Sequence, residues 1–253
     1  MIKWGGCTDV GRTRPMNEDG YYISEYSREF EALYAIVADG MGGHKAGEIA
    51  SSMALEQVSE TVNRGFRGDM SVSEIKSLLV SAIKHANQSI YEKSQAESSY
   101  GGMGTTLTLC FISGEQAVVA HVGDSRAYMF RKNKLHQITT DHSLVNELVK
   151  NGQITPEEAA NHPQKNVITR ALGTDSGVEI DLYEFKLRPD DMLLLCSDGL
   201  SNMLSDSELL EHLAQGRNKT PEKLTEQLVL SANEKGGLDN ITAVLLTKES
   251  ELC

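Results

Sequence analysis

The sequence predicts an α+β fold of mainly antiparallel sheets with helices packed outside them. Strand-like runs follow one another directly, joined by turns, and the helical segments come in pairs instead of alternating with strands. No repeat, low-complexity stretch or Pro-rich linker divides the 253 residues, so a single domain spanning 1–253 is expected.

Residues 2–8, 20–26 and 32–38 alternate or run apolar as strands do. Two amphipathic helices follow. The first carries Ile49, Met53, Val58 and Val62 roughly on one side. The second repeats Ile75, Leu78, Leu79, Ala82, Ile83, Ala86 and Ile90 at helical spacing. Residues 105–112, 116–122 and 126–130 are β-branched or apolar runs, and Lys132-Asn133-Lys134 reads as a hairpin tip leading into 135–138. Short helical pieces are expected at 143–151 and 156–161, the second with Thr155 as N-cap and Pro156 at the first helical position. Strands at 178–187 and 192–196, helices at 207–214 and 221–233, and a strand at 241–247 complete the chain. Two sheets face to face with helices outside satisfy this order.

A net charge of −12 argues against nucleic-acid binding, whose affinity comes largely from Lys and Arg on phosphates. No basic block suggests an anionic membrane surface. Segment 1–7 lacks the apolar run of a signal peptide, and runs such as 192–196 are too short to cross a bilayer. Cys7, Cys110, Cys196 and Cys253 are scattered and form no metal or redox motif, which suits reduced thiols in a cytoplasmic protein. With no long exposed apolar stripe, a monomer is expected.

The informative residues are aspartates. Ala35-Ile36-Val37-Ala38 runs into Asp39-Gly40, Val118 to Gly123 runs into Asp124, Leu193 to Ser197 runs into Asp198-Gly199, and Asp239-Asn240 stands before the last strand. Any one Asp-Gly after a strand reads most simply as a turn. Four acids at strand ends in one domain are harder to dismiss, because clustered carboxylates repel and a hard divalent cation relieves that repulsion. With no matching His or Cys set, magnesium or manganese suits such a site better than zinc. Arg14, with Glu18 and Asp19 following, could grip a phosphate bidentately, although that stretch alone reads as a solvated loop. The glycines of Asp39-Gly40-Met41-Gly42-Gly43-His44 lack the Lys-Ser/Thr ending of a nucleotide loop. Gly40 could instead bring its carbonyl close to a metal.

Taken in order, these residues resemble a family. Val10-Gly11-Arg12 through Asn17-Glu18-Asp19, Ala38-Asp39-Gly40-Met41-Gly42-Gly43, Gly102-Met103-Gly104-Thr105-Thr106, His121-Val122-Gly123-Asp124-Ser125-Arg126, Ser197-Asp198-Gly199 and Asp239-Asn240-Ile241-Thr242 stand as they do in type 2C protein phosphatases, the PPM family. The likeness covers nearly the whole chain, and Asp141-His142-Ser143 through Gly173 looks like the flap of compact bacterial members. The resemblance implies a four-layer α-β-β-α sandwich with a flap-like insertion at about 143–173. It implies hydrolysis of phosphoserine and phosphothreonine on proteins by a water bridging two Mn²⁺ or Mg²⁺ ions, reversing a Ser/Thr protein kinase. Asp39 would bridge both metals, Gly40 would offer its carbonyl, and Asp198 and Asp239 would hold one metal. Glu18 and Asp19 would act through water, Asp124 with Asp198 would serve a third, weaker metal, and Arg14 would bind phosphate. Many eukaryotic members carry a proton-donating His directly after Asp-Gly. Here that place is Met41, which leaves nearby His44 or a metal-held water as the candidate acid. A catalytically silent phosphoprotein-binding module on the same scaffold is the alternative, and its mark, a lost metal acid, is absent.

Overall fold

The structure is a computed structural model and describes residues 1–43 and 46–249. The chain opens with β1 (Ile2–Asp9), β2 (Asp19–Ile23) and β3 (Ala32–Met41), then the long helices α1 (Ala46–Gly65) and α2 (Val72–Ala96). A 3₁₀ turn at Ser98–Tyr100 leads to β4 (Gly104–Thr105), β5 (Leu107–Ser113), β6 (Gln116–Val122), β7 (Arg126–Arg131) and β8 (Lys134–Gln137). Two short helices, α3 (Leu144–Lys150) and α4 (Pro156–Ala160), precede β9 (Asp181–Lys186) and β10 (Met192–Cys196). The chain continues through α5 (Asp198–Ser201), α6 (Asp206–Gln215), α7 (Pro221–Glu234) and β11 (Ile241–Lys248).

Among the described residues the strands form two antiparallel sheets, one in the order β1-β11-β10-β7-β8 and the other β2-β3-β5-β6-β9 with β4 against β3. Strand alternation assigns each side chain to a layer. Ala35, Val37, Val119, Leu193, Leu195, Val244 and Leu246 point between the sheets and form the central core. Their neighbours Tyr34, Ile36 and Val118 face α1 and α2, where Val58, Val62, Leu79 and Ile83 meet them. Leu194, Ala243 and Leu245 face outward on the other sheet, against Leu209, Leu224 and Leu228 of α6 and α7. The layering is therefore α-β-β-α, as the resemblance implied. Each fully buried aliphatic side chain contributes about 1.5–3 kcal/mol, so the two faces of β3 and β10 tie adjacent layers together.

Local signals terminate these elements as the sequence suggests. Ser71 and Glu74 form a reciprocal capping box at the start of α2, and Thr155 and Glu158 form another around Pro156 on α4. Lys132 and Asn133 both take positive φ, 52° and 58°, which is the backbone of a tight two-residue hairpin turn. Cys7, Cys110 and Cys196 are free thiols, and no helix among the described residues is long and apolar enough to cross a membrane.

Candidate metal centre

The predicted aspartates meet at one end of the paired sheets. Asp39 lies near the end of β3, and its backbone is tied on both sides. Its N–H donates to Thr106 Oγ1 (3.0 Å), and its carbonyl accepts from the Thr106 N–H (2.9 Å) and from Thr105 Oγ1 (2.9 Å). The antiparallel register of β2 and β3 sets Asp19 directly opposite Asp39. The Gly40 N–H donates to the Glu18 carbonyl at 3.1 Å. A Cβ at Gly40 would lie 2.1 Å from the Gly47 carbonyl oxygen, so only glycine lets β3 approach the first turn of α1 this closely.

From the other sheet comes Asp198. It follows β10 as expected, but it is the first residue of the short helix α5 rather than part of a turn. Ser197 fixes that junction. Its Oγ donates to Asp19 Oδ2 (2.7 Å) and accepts the Thr242 N–H (2.9 Å), which joins the two sheets across the site. Asp239 precedes β11, and Arg14 Nη2 donates to its Oδ2 at 2.7 Å. Asp124 follows Gly123, whose φ of +114° turns the chain between β6 and β7.

Electrostatics identify these acids as one cluster. Burial raises the Asp39 carboxyl well above the ordinary carboxylate range, and Asp19, Asp198, Asp124 and Asp239 add to the shift. Burial likewise pushes Asp19 and Asp124 up to about 7 and Asp198 to about 6. Burial raises Glu18 too, opposed by the amides of Gly47 and Glu48 at the start of α1. Six buried polar side-chain atoms among the described residues lack a hydrogen-bond partner, and three are oxygens of this cluster: Glu18 Oε1, Asp19 Oδ1 and Asp124 Oδ1. Orphaned carboxylate oxygens beside like charges are costly unless a cation meets them, so the donor set fits a hard divalent ion. No three acidic, His or Cys side chains among the described residues converge as a closed coordination shell. Ions such as magnesium retain several waters, so such a shell is not required.

Not every predicted residue joins the cluster. Met41 ends β3, pairs with Gly104 and lays its Cε against that glycine, so it offers no proton. His44 lies outside the described residues. Three positioning groups stand within the quoted motifs, but the sequence assigned them no role. Asn240 accepts the Glu18 N–H (2.8 Å) and donates to the carbonyls of Val10 and Met16 (both 2.9 Å), clamping the loop that carries Arg14. Ser197 bridges the sheets. Arg126 grips Asp141 through both Nε and Nη2, at 2.7–3.0 Å, beside Asp124. The one available signal was proximity: each stands within two residues of a predicted metal acid, Asp239, Asp198 or Asp124. Asn240→Ala should destabilise the fold by about 3 kcal/mol, since three hydrogen bonds disappear and their partners are left unpaired. Chemical denaturation measures this, and a loss below about 1 kcal/mol would mean that the loop holds itself in place.

Comparison with known proteins agrees with this fold. The family model described as "Protein phosphatase 2C" matches residues 16–233. The serine/threonine phosphatase stp of Listeria monocytogenes is 41% identical over 242 residues, covering 96% of this chain and 94% of that protein. The solved serine/threonine phosphatase of S. agalactiae superposes with a TM-score of 0.90 at 42% identity, covering 98% of this chain and 100% of the other. A structure of the catalytic domain of PstP in complex with two manganese ions superposes with a TM-score of 0.84 at 34% identity, covering 98% and 99%. The chain therefore belongs to the type 2C, or PPM, family, and it is a metal-dependent serine/threonine protein phosphatase.

Proposed function

We propose that the site holds two Mn²⁺ or Mg²⁺ ions, with Asp39 between them, the Gly40 carbonyl on one, and Asp198 and Asp239 on the other. Glu18 and Asp19 act through water, and Asp124 with Asp198 serves a third, weaker ion. The observation that carries this assignment is the meeting of five mutually repelling carboxylates in which Asp19 and Asp124 each leave a buried oxygen unsatisfied. When bound, the cations make a water nucleophilic near neutral pH and offset the charge of the phosphoryl oxygens.

The protein's own groups then bind and orient. Arg14 sits on a loop that Asn240 holds after it, at the Met16 carbonyl, and that two further contacts pin before it. The Arg12 N–H donates to the Gly237 carbonyl (2.7 Å), and Thr13 Oγ1 donates to the Leu238 carbonyl (2.6 Å). The guanidinium is half exposed and surrounded by Asp239, Glu18 and Asp198. Its exposure beside the acids supports a role in receiving the phosphate of an incoming phosphoserine or phosphothreonine through two parallel hydrogen bonds. The departing serine or threonine oxygen takes its proton from water or from His44. The substrates are proteins phosphorylated by a Ser/Thr kinase. The protein acts in the cytoplasm as a monomeric single domain, with 143–173 as a flap beside the site. Among the described residues the exposed large apolar side chains are separate in sequence (Met1, Phe30, Val167, Leu230 and Leu238), which supports a monomer.

The direct test is phosphate release from a phosphothreonine peptide with Mn²⁺, with and without chelator. Arg14→Ala should raise KM for the peptide about tenfold and change kcat less, because its contacts are to ground-state phosphate. An unchanged KM would remove Arg14 from phosphate binding. Mn²⁺-independent turnover would overturn the metal assignment.

A further inference from the structure

Beside the candidate metal centre lies a cavity of about 550 Å³, and Asp124 and Asp198 form part of its wall. Its other side comes from the flap, where Val145 and Val149 of α3 and Pro156 and Ala159 at α4 give an apolar strip alongside polar residues that include Asn146 and Lys165. Val145 and Val149 are four residues apart and share one helix face. None of the seven residues of α3 is fully buried, although Leu144, Val145, Leu148 and Val149 are all aliphatic. None of these side chains, nor Pro156 or Ala159, joins any of the three hydrophobic cores. The helix is nonetheless held firmly. The Leu144 N–H donates to the Val167 carbonyl (2.9 Å), Asn146 Nδ2 donates to the Asp141 carbonyl (2.6 Å), and Ser143 bridges to Ile168. The result is a fixed apolar strip that packs against no core and opens onto the reaction centre.

We infer that this cavity is a specificity pocket, and that it takes an aliphatic or aromatic side chain standing within a few residues of the phosphorylated Ser or Thr. The inference rests on the metal-centre assignment, which places the phosphate next to the cavity. A protein phosphatase must seat the polypeptide on either side of the phosphate, and the cavity is contiguous with the acids that face it. Charge does not select the occupant: Asp141 and Arg126 pair with each other, and Asp124 and Asp198 are assigned to the cations. The selection comes from the exposed aliphatic faces of Val145 and Val149, which an apolar side chain covers.

The test uses full-length protein with Mn²⁺ and a set of phosphothreonine peptides. Each peptide carries Leu, Ala or Glu at one flanking position, moved in turn through the positions on both sides. At one position Leu should exceed both Ala and Glu in kcat/KM by about tenfold, the factor expected for seating several methylenes. Val149→Asp should erase this preference. Ala159→Leu, which fills the cavity without introducing charge, should erase it as well and guards against misfolding of the first variant. Both variants should keep their turnover of para-nitrophenyl phosphate, which has no flanking residues. Equal rates for Leu and Ala at every position, a preference for Glu, or selectivity that survives both variants would each overturn the pocket. So would a parallel loss of aryl phosphate turnover, which would assign these residues to support of the metal centre. Failure of the unaltered protein to release phosphate from either substrate with Mn²⁺ would instead strike the metal-centre assignment itself.

Discussion

Asp39→Asn is expected to lower Mn²⁺-dependent turnover of a phosphothreonine peptide by on the order of 10³-fold or more, while making the metal-free protein more stable. The two effects have one cause. Asn keeps the shape of the side chain but not its charge, so it cannot balance two divalent ions. In the metal-free protein that same charge is a liability. Asp39 is desolvated and faces Asp19, Asp198, Asp124 and Asp239, so it retains its proton at pH values where the unfolded chain has released it. Each unit of such a shift costs about 1.4 kcal/mol of folding stability. Allowing for water penetration and for sharing of protons among neighbours, the gain in Asp39→Asn should be about 2 kcal/mol, or roughly 4–8 °C in Tm. Thermal melts in chelator, paired with phosphate-release assays, check both. Full activity would remove Asp39 from the metal set, and a fall in metal-free Tm would show that its charge is already compensated within the protein.

The second large effect is a pH dependence that metal reverses. In the metal-free folded protein Asp19 and Asp124 titrate at about 7 and Asp198 at about 6, against about 3.8 for an ordinary Asp. These are raised carboxylate values. Between about pH 4 and about pH 7 these acids have lost protons in the unfolded chain that they keep in the folded chain, so their contribution to stability falls as pH rises through this window. Below about pH 4 the penalty vanishes, because both states are protonated. Bound Mn²⁺ favours the ionised ligands and removes the penalty. The Tm difference between Mn²⁺-loaded and metal-free protein should therefore widen steadily from about pH 5 to about pH 7, amounting to several kcal/mol at the upper end. In the metal-free protein His121, whose value burial lowers to about 3, and His142, also lowered by burial, oppose the trend inside this window, but they are common to the loaded and metal-free protein and cancel in the Tm difference. A Tm difference that is flat across pH would contradict the cluster.

Much of the fold was legible because its signals are local. The apolar runs in 32–38 and 241–247, the N-cap at Thr155 before Pro156 and the hairpin tip at Lys132-Asn133 each depend on neighbouring residues, and each appears as expected. Boundaries were less legible. β2 ends at Ile23 rather than near 26, because Ser24 breaks the pattern by bonding the Tyr34 N–H through its hydroxyl. The helix α5 was not visible at all, since four residues give no periodicity.

The site divides in the same way. Sequence alone determined that acids stand at the ends of apolar strands, that the chain is acidic, and that its motifs follow one family's order. It could not determine that Asp19 opposes Asp39, which is a matter of strand register. Nor could it determine that Asn240 clamps a loop more than 220 residues away in sequence. Those facts arise when two sheets pack face to face and bring distant strand ends to one edge. Packing is also what turns Asp19, Asp39, Asp124 and Asp198 into a strained cluster, because burial beside like charge raises their affinity for protons.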